Sequence, residues 1–263
     1  MTTREKAEAL RRLHHDRELL VLVNVWDAAS ARTVAAAPGC RALATASWSV
    51  AAAHGLPDGE AMSRDAMLAA VERIASAVDL PVSADLEAGY GATAADVGET
   101  IAQAIEAGAV GCNLEDGARP GLRPADEHAE RVAAARDASE RAGVPFVINA
   151  RTDVFLAKVG APEEREALAL ERGRAYATAG ADCIFVPGLV DPAVIERLVA
   201  AMSAPISLIA TPSGPPLAEL ERLGVARVSV GPGSMGVAMA ALQRAAGTLI
   251  ARGPAPAELA FRP

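Results

Sequence analysis

Two acidic residues, Asp85 and Glu87, stand one residue apart, where the apolar run Pro81–Asp85 meets a glycine-flanked turn. In a strand, residues i and i+2 face the same side, so the two carboxylates are expected to point into one space. Carboxylates held this close raise each other's pKa unless a cation or a shared proton lies between them. The pair therefore predicts the floor of a metal site.

Charged residues also follow two later apolar runs. Glu115 ends the run Ala109–Glu115, and Arg151 follows the run Pro145–Ala150. Three carboxylates in one pocket need a hard cation, and ligation by oxygen alone favours Mg²⁺ or Mn²⁺ over zinc. Arg151 keeps its proton and can hold a carboxylate with two hydrogen bonds, so a small 2-oxo or 2-hydroxy acid is the expected substrate. The alternative interpretation is a set of structural salt bridges around the rim of the fold.

The elements that must position these residues form a repeating series. Short apolar runs alternate with helix-length amphipathic segments, and most runs are continuous, as in parallel strands buried on both faces. The expected strands are Leu20–Val25, Arg41–Ala46, Pro81–Asp85, Ala109–Glu115, Pro145–Ala150, Ala181–Val186, Pro205–Ala210 and Ala226–Val230. The expected helices between them are Asp27–Ala36, Arg64–Val78, Thr93–Ala107, Asp126–Ala142, Arg165–Thr178, Pro192–Met202 and Leu217–Leu223.

Alternation repeated eight times predicts an α/β protein with a (β/α)8 barrel of the TIM type. A doubly wound open sheet is the alternative, but its Gly-rich phosphate turn is missing after the first strand. Two flanking helices are also expected, Thr3–His15 at the bottom of the barrel and the apolar Ser234–Ala251 at a subunit contact. No linker or low-complexity tract divides the chain, so residues 1–263 are expected to form a single domain.

Composition excludes several classes of partner. The formal net charge of −8 leaves no basic stripe for the phosphates of nucleic acid. No apolar segment approaches the roughly 20 residues that a membrane-spanning helix needs. The three cysteines are widely spaced with no CxxC motif, and the N-terminal stretch has no apolar signal core, so a cytoplasmic protein is expected.

The order and spacing of several motifs resemble the isocitrate lyase/phosphoenolpyruvate mutase superfamily, from Leu22 to about Leu249. The motifs that carry this resemblance are Asn24-Val25-Trp26-Asp27-Ala28-Ala29-Ser30-Ala31-Arg32, Gly55-Leu56-Pro57-Asp58, Asp85-Leu86-Glu87-Ala88-Gly89-Tyr90-Gly91, Asn113-Leu114-Glu115-Asp116 and Asn149-Ala150-Arg151-Thr152-Asp153. The resemblance implies a (β/α)8 barrel that binds Mg²⁺ and cleaves or forms C–C, and in a few members P–C, bonds beside a carboxylate. It also implies a homo-oligomer, a dimer or tetramer, that exchanges its last helix between subunits.

The resemblance further implies roles for single residues. Asp85 matches the principal metal carboxylate, Glu87 and Glu115 match its partners, and Arg151 matches the cation that steadies the developing enolate. The catalytic candidates are Arg151, Asp58 and Glu115, and the metal candidates are Asp85, Glu87 and Glu115. The candidates for binding the substrate are Ser47 and Trp48 through their backbone N–H groups, Asn149, Arg151, and Arg119 or Arg123 over a distal carboxylate.

One segment departs from the resembled lyases. Isocitrate and methylisocitrate lyases carry a Lys-Lys/Arg-Cys-Gly-His loop with a catalytic cysteine after the fourth strand, whereas residues 115–124 contain no Cys, Lys or His. Glu87 also stands where many members have aspartate. We therefore expect a Mg²⁺-dependent lyase or hydrolase that cleaves a C–C bond of a small (di)carboxylate, and not a true isocitrate or methylisocitrate lyase. The alternatives are a phosphonopyruvate- or carboxyphosphonate-type phosphomutase and a 2-oxo acid binding protein with reduced catalysis.

Overall fold

A computed structural model describes residues 1–118 and 121–260 of the chain. In this part of the chain, nine parallel strand segments form one sheet in the order β1-β9-β8-β7-β6-β5-β4-β3-β2. The strands are β1 (Leu20–Leu22), β2 (Asn24–Val25), β3 (Leu43–Thr45), β4 (Val82–Asp85), β5 (Gly111–Glu115), β6 (Val147–Arg151), β7 (Cys183–Phe185), β8 (Ile206–Ile209) and β9 (Arg227–Ser229).

The first predicted strand, Leu20–Val25, is interrupted at Val23 and divides into β1 and β2. Strand β1 pairs with β9, and β2 pairs with β3, so the two ends of the sheet are successive pieces of one chain segment. This change of partner closes the sheet into a nearly complete ring. The (β/α)8 TIM-type barrel is thereby confirmed, with its first strand shared between two neighbours.

The helices surround this barrel and lie close to the predicted bounds. They are α1 (Thr3–Leu13), α2 (Ala28–Ala35), α3 (Ser47–Ala53), α4 (Arg64–Ser76), α5 (Ala94–Glu106), α6 (Ala125–Arg141), α7 (Arg165–Thr178), α8 (Pro192–Ala201), α9 (Leu217–Arg222) and α10 (Gly233–Ile250). Capping explains the starts, because the side chains of Ser63, Thr93 and Asp191 accept backbone N–H groups of the first turn. After α5, Gly108 takes the left-handed conformation that turns the chain into β5.

Helix α3 is not among the helices that the sequence pattern predicts. The segment Ser47–Ala53 is helical, although Ala46 at its N-cap supplies no side-chain hydrogen bond. The missing cap comes from elsewhere, because the backbone N–H of Ser47 donates to Oδ2 of Asp85 at 2.9 Å. A helix stabilised by a carboxylate 38 residues away along the chain leaves no local sequence signal.

The barrel is closed at its lower end by α1, whose Ala7 and Leu10 pack among residues at the beginnings of the strands. Above this apolar layer the interior is polar. Arg227 of β9 is fully buried and donates to Oγ of Ser83 and to Oδ1 of Asn113. Asn113 in turn donates to Oδ1 of Asp85 at 3.3 Å. The interior therefore supplies a hydrogen-bond path up to the carboxylate at the end of β4.

No helix in the described ranges is long and apolar enough to cross a membrane. Helix α10 exposes large apolar side chains, with Val237 74%, Leu242 62% and Ile250 83% accessible. A subunit contact and helix exchange at α10 stay predictions, as does the single domain spanning residues 1–263.

Candidate active site

A cavity of about 580 Å³ opens where β4, β5 and β6 end. The described residues that line it are Asp58, Gly59, Glu60, Glu87, Ala88, Glu115, Gly117, Ala118, Gly121, Arg123, Arg151, Asp153, Leu156 and Ala157. Two larger cavities lie away from these strand ends, one at the α1 end of the barrel and one beside α10. We take the cavity at the strand ends as the candidate active site because it gathers buried carboxylates around an arginine.

Arg151 at the end of β6 is the central cation of this cavity. Its Nη1 lies 2.6 Å from Oε2 of Glu115, the residue opposite it in the register of β5 and β6. Its Nε and Nη2 donate to the two oxygens of Asp153 at 2.6 and 2.9 Å. The aromatic ring of Phe185 packs with its centroid 5.9 Å from the guanidinium carbon. One arginine is thus shared between two carboxylates and held against an aromatic face.

This sharing leaves the carboxylates with an excess of negative charge. Burial raises the pKa of Glu115 to about 8, and although Arg151 opposes that shift, Asp153, Asp85 and Glu87 reinforce it. Burial likewise raises the pKa of Asp153, against the effect of Arg151. Burial also disfavours the charge on Arg151, but its two acidic partners outweigh burial and raise its pKa. Among the described residues, the cavity therefore holds more acidic groups than Arg151 neutralises.

Asp85 ends β4, is 9% exposed and is not among the described lining residues of the cavity, although its charge acts on Glu87 and Glu115. One carboxylate oxygen accepts the N–H of Ser47, and the other accepts from Asn113. The backbone N–H of Asp85 donates to Oγ1 of Thr45 at 2.8 Å. These contacts from β3, α3 and β5 fix the carboxylate in one orientation.

Glu87 lines the cavity, but not as a residue on the face of a strand, as the strand pattern predicted. Strand β4 ends at Asp85, and Glu87 lies beyond it with φ of 51°, so the alternation of strand faces does not apply. Oε1 of Glu87 accepts from the hydroxyl of Tyr90, and Oε2 accepts the backbone N–H of Glu60 at 2.6 Å. Burial raises the pKa of Glu87, reinforced by Asp58 and Asp85 and opposed by these two hydrogen bonds.

Three residues of this cluster hold left-handed backbone conformations that are costly for residues other than glycine. Glu60, Glu87 and Tyr90 have φ of 57°, 51° and 53°. They are also tied to one another, because the Tyr90 N–H donates to Oε1 of Glu60 at 2.7 Å. The mutual hydrogen bonds compensate for the strain and join the segment before α4 to the turn after β4.

The remaining residues predicted from the sequence differ in their position relative to the cavity. Asp58 lines the cavity and accepts from Oγ of Ser47 at 3.2 Å, so both of these residues adjoin the site. The Trp48 side chain is 47% exposed and is absent from the described cavity lining. Asn149 is fully buried inside the barrel, where it donates to Asn113. Arg119 lies outside the described residues.

The fit of the site to Mg²⁺ depends on the type and the number of its donors. The donors are all oxygens with an excess of negative charge, which suits a hard divalent cation. Among the described residues, however, no three Asp, Glu, His or Cys side chains are arranged to hold an ion directly. Mg²⁺ commonly keeps several waters and uses one or two carboxylates together with the substrate. The residues therefore fit a hydrated Mg²⁺ and not a metal enclosed by protein ligands.

Several residues of the site were missed in the sequence. Glu60 and Tyr90 hold Glu87. Tyr90 belongs to the same motif as Asp85 and Glu87, but the sequence pattern assigned a role only to the two acidic residues. Arg172 and Tyr176, one helical turn apart on α7, hold the buried Asp116. Their spacing on one helix face was a usable signal, since an arginine and a tyrosine at i and i+4 share one surface.

Comparison with known proteins identifies the family. The family model described as phosphoenolpyruvate phosphomutase matches residues 10–250, which is most of the chain. The barrel and its acidic strand ends agree with this match. The chain belongs to the phosphoenolpyruvate phosphomutase family, within the isocitrate lyase/phosphoenolpyruvate mutase superfamily.

Individual relatives show how broad this superfamily is. A 2-methylisocitrate lyase of Escherichia coli (strain K12) is 35% identical over 186 residues, which cover 67% of this chain but only 60% of the lyase. A crystal structure from Burkholderia cenocepacia J2315, provisionally described as a phosphonomutase, is 52% identical with a TM-score of 0.88, covering 91% of this chain and 98% of that chain. Oxaloacetate acetylhydrolase in complex with oxalate is 26% identical with a TM-score of 0.86, covering 98% and 91%.

Proposed function

We propose that this protein is a Mg²⁺-dependent lyase or hydrolase that cleaves a C–C bond of a small 2-oxo or 2-hydroxy (di)carboxylic acid through an enolate-type intermediate. The observation that carries the proposal is Arg151, held between Glu115 and Asp153 at the mouth of the barrel. The oxalate complex of oxaloacetate acetylhydrolase supports a substrate of this chemistry.

Arg151 would bind and orient the substrate. A fixed guanidinium with its donors in a rigid fork stabilises negative charge as it develops on an enolate oxygen, because no reorganisation is needed at that moment. Glu115 and Asp153 hold the fork in place, and the ring of Phe185 supports it. The gain in rate comes from this preorganised charge.

Glu115 is the best placed group to hold or move a proton. Its pKa of about 8 lies near neutral pH, where a carboxyl group can act either as an acid or as a base. Asp58, held by the Ser47 hydroxyl at the cavity wall, is the second candidate. Exchange of a proton at Oε1 of Glu115 would leave its Oε2 contact with Arg151 in place.

Asp85, Glu87 and Glu115 are the proposed residues for Mg²⁺, with Mn²⁺ as a substitute, and they would act in part through the waters of a hydrated ion. When bound, the ion would supply positive charge beside the substrate's 2-oxo or 2-hydroxy oxygen. Asp85 is the anchor of this set because backbone and amide donors already fix its orientation.

We infer that the reaction is not that of a true isocitrate or methylisocitrate lyase. Cys112 and Cys183 are fully buried, and burial raises the pKa of each thiol to about 12. Cys40 lies between α2 and β3, at the end of the barrel away from the cavity. None of the described lining residues of the cavity is a cysteine, which supports an acid other than a thiol.

The second candidate is a phosphonopyruvate- or carboxyphosphonate-type phosphomutase. The family description and the similar Burkholderia structure favour it. Carboxylates outnumber arginines among the described lining residues, which favours the lyase because a phosphonate brings more negative charge than a carboxylate does. A 2-oxo acid binding protein with reduced catalysis is the third candidate.

We further propose that the protein is a cytoplasmic homo-oligomer, a dimer or tetramer, with α10 at the contact. The exposed apolar side chains of α10 support this assembly.

The test of the function is a panel of oxaloacetate, 2-methylisocitrate, 2,3-dimethylmalate and phosphonopyruvate, assayed with Mg²⁺ and with chelator, together with calorimetric binding of oxalate. We expect turnover of a carboxylic acid that stops without Mg²⁺ and in Asp85→Ala. The matched control is Asp79→Ala, which removes an exposed aspartate at the other end of the barrel. Unchanged Mg²⁺-dependent turnover in Asp85→Ala would overturn the assignment. Turnover of phosphonopyruvate alone would favour the mutase, and oxalate binding without any turnover would favour the binding protein.

A further inference from the structure

Asp116 follows Glu115 in the sequence but lies behind the cavity wall and is fully buried. Its Oδ2 accepts from the hydroxyl of Tyr176 at 2.7 Å and from Nη1 of Arg172 at 2.9 Å, both from α7. Its Oδ1 accepts the backbone N–H of Asp153 at 2.9 Å. One carboxylate therefore joins α7 to the segment that follows β6.

The hydrogen bonds continue from Asp153 into the cavity. The Asp153 carboxylate holds Arg151 with two hydrogen bonds, and Arg151 holds Glu115. A second path is shorter, because the backbone N–H of Asp116 donates to the carbonyl oxygen of Arg151 at 3.0 Å. Asp116 thus fixes the backbone on both sides of Thr152, and therefore the position of the Arg151 backbone from which the side chain extends.

Arg172 holds a second part of the cavity wall as well. The same Nη1 atom donates to the carbonyl oxygen of Arg123, a residue that lines the cavity. The ring of His128 packs edge-on against the Tyr176 ring, with centroids 4.6 Å apart, and limits its rotation. The group is therefore rigid, and it contacts the cavity through the chain segments that it holds.

We propose that Arg172 and Tyr176 are positioning residues that act through Asp116 to hold Arg151 in the orientation that binds a substrate carboxylate. This inference rests on the proposed function, in which Arg151 contacts the substrate. Removal of either donor leaves Oδ2 of the buried Asp116 short of a hydrogen-bond partner, so the carboxylate and the Asp153 N–H that it accepts are expected to shift.

The variants are Tyr176→Phe, which removes one oxygen atom, Arg172→Met, and the double variant. The matched control is Arg174→Met on the exposed side of the same helix, where the guanidinium donates to the carbonyl oxygen of Ala201. Two measurements are made on each protein. One is hydrogen–deuterium exchange of peptides that contain the Asp153 amide, and the other is calorimetric binding of oxalate with Mg²⁺.

We expect faster exchange at Asp153 in Tyr176→Phe and Arg172→Met, with exchange in β7 and β8 unchanged. We expect their oxalate affinity to fall about 10- to 100-fold, as for other groups that orient a binding residue. The double variant should lose less than the sum of the single variants, because both donors serve one oxygen atom. If Arg172→Met does not fold, the measurements on Tyr176→Phe alone decide whether the inference holds.

Exchange and oxalate binding that match those of Arg174→Met would overturn the inference, and so would faster exchange throughout the barrel, which indicates a role in stability alone. The failure of the proposed function has a different signature. If the wild-type protein binds no oxalate with Mg²⁺, the function fails, while local exchange at Asp153 still decides whether Arg172 and Tyr176 position this segment.

Discussion

The two halves of the barrel mouth share one fold and differ completely in charge. After β4, β5 and β6 the chain carries Glu87, Glu115, Arg151 and Asp153 within a single cavity. After β7, β8 and β9, the segments 186–190, 210–218 and 230–243 contain no Asp, Glu, Lys or Arg. We name these the acidic half and the neutral half. The barrel fold alone does not produce the site, because charged residues are concentrated in the acidic half while the neutral half has uncharged turns.

The acidic half needs supports that the neutral half does not have. Arg131 of α6 is buried and donates to the carbonyl oxygens of Ala88, Gly91 and Ala92, which fixes the strained turn after β4. In the neutral half, the side chain of Asn24 is enough, accepting the N–H groups of Val230 and Gly231. Buried charge and strained backbone are retained only where neighbouring helices hold them.

The largest effect is expected from Arg151→Met. Removing the arginine leaves the buried acids Glu115 and Asp153 without their cation, which should cost about 3 kcal/mol of the free energy of unfolding. The control is Arg197→Met, which breaks an exposed pair with Glu166 and should change the free energy of unfolding far less, because solvent screens an exposed pair. Urea unfolding of both variants measures the difference. Equal losses would mean that the acidic half carries no special dependence on its cation.

A smaller loss is expected from Gly89→Ala in the turn after β4. Gly89 has φ of 98°, and a Cβ atom there would lie 2.8 Å from Cγ2 of Val97. Strain and clash together should cost about 2 kcal/mol.

The control for this variant is Gly55→Ala, whose φ is 74° and whose Cβ would meet no atom within 4 Å. It carries the backbone strain alone, about 1 kcal/mol. Thermal unfolding of the two variants separates the cost of backbone strain from the cost of the clash with Val97. A loss at Gly55 as large as at Gly89 would show that packing against Val97 contributes nothing.

Most of the fold was predictable because it depends on local patterns. Continuous apolar runs predicted the strands, and cap residues such as Thr93 placed the helix starts to within one or two residues. The division of the first strand at Val23 was not predictable, since it results from pairing with β9 and β3 at once. Helix α3 was missed for the same kind of reason, because a carboxylate distant in sequence caps it.

The candidate site was predictable in its residue types but not in its geometry. The positions of Glu115 and Arg151 at strand ends indicated that they would meet, and the register places them opposite each other. Glu87 was expected on the face of a strand, whereas it lies in a left-handed turn held by Glu60 and Tyr90. No pattern within a single segment specifies a hydrogen bond between residues 27 positions apart.

A difference in pH dependence is expected between Glu115 and an exposed glutamate. The pKa of Glu115 is raised from 4.5 to about 8, so the folded protein retains a proton that the unfolded chain releases. The stability that this proton contributes is fully present below pH 4.5 and is lost as the pH rises through about 8. Relative to the wild-type protein, Glu115→Gln should therefore become more stable as the pH rises over this range, by up to about 1.4 kcal/mol for each pH unit.

The control for the pH experiment is Glu166→Gln. Arg197 holds the pKa of Glu166 below its ordinary value of 4.5, so its contribution is lost only at lower pH and stays constant over the range in which Glu115 titrates. Unfolding of both variants and of the wild-type protein between pH 5 and pH 9 measures the two slopes. Parallel curves for the wild-type protein and Glu115→Gln would show that Glu115 is ionised throughout.

The smallest effect on stability is expected from Gly117→Ala, which tests the cavity and not the fold. A Cβ atom at Gly117 would lie 3.2 Å from Oδ2 of Asp153 and 3.3 Å from Oε1 of Glu115, so the methyl group would crowd both carboxylates that hold Arg151. Its control in the neutral half is Gly214→Ala, where the added atom makes only ordinary contacts, the nearest at 3.4 Å. Both variants should keep the wild-type free energy of unfolding within about 0.5 kcal/mol. Only Gly117→Ala should weaken Mg²⁺-dependent oxalate binding, by about tenfold. Equal binding by the two variants would place the oxalate site away from Glu115 and Asp153, and the acidic half would then be a structural feature alone.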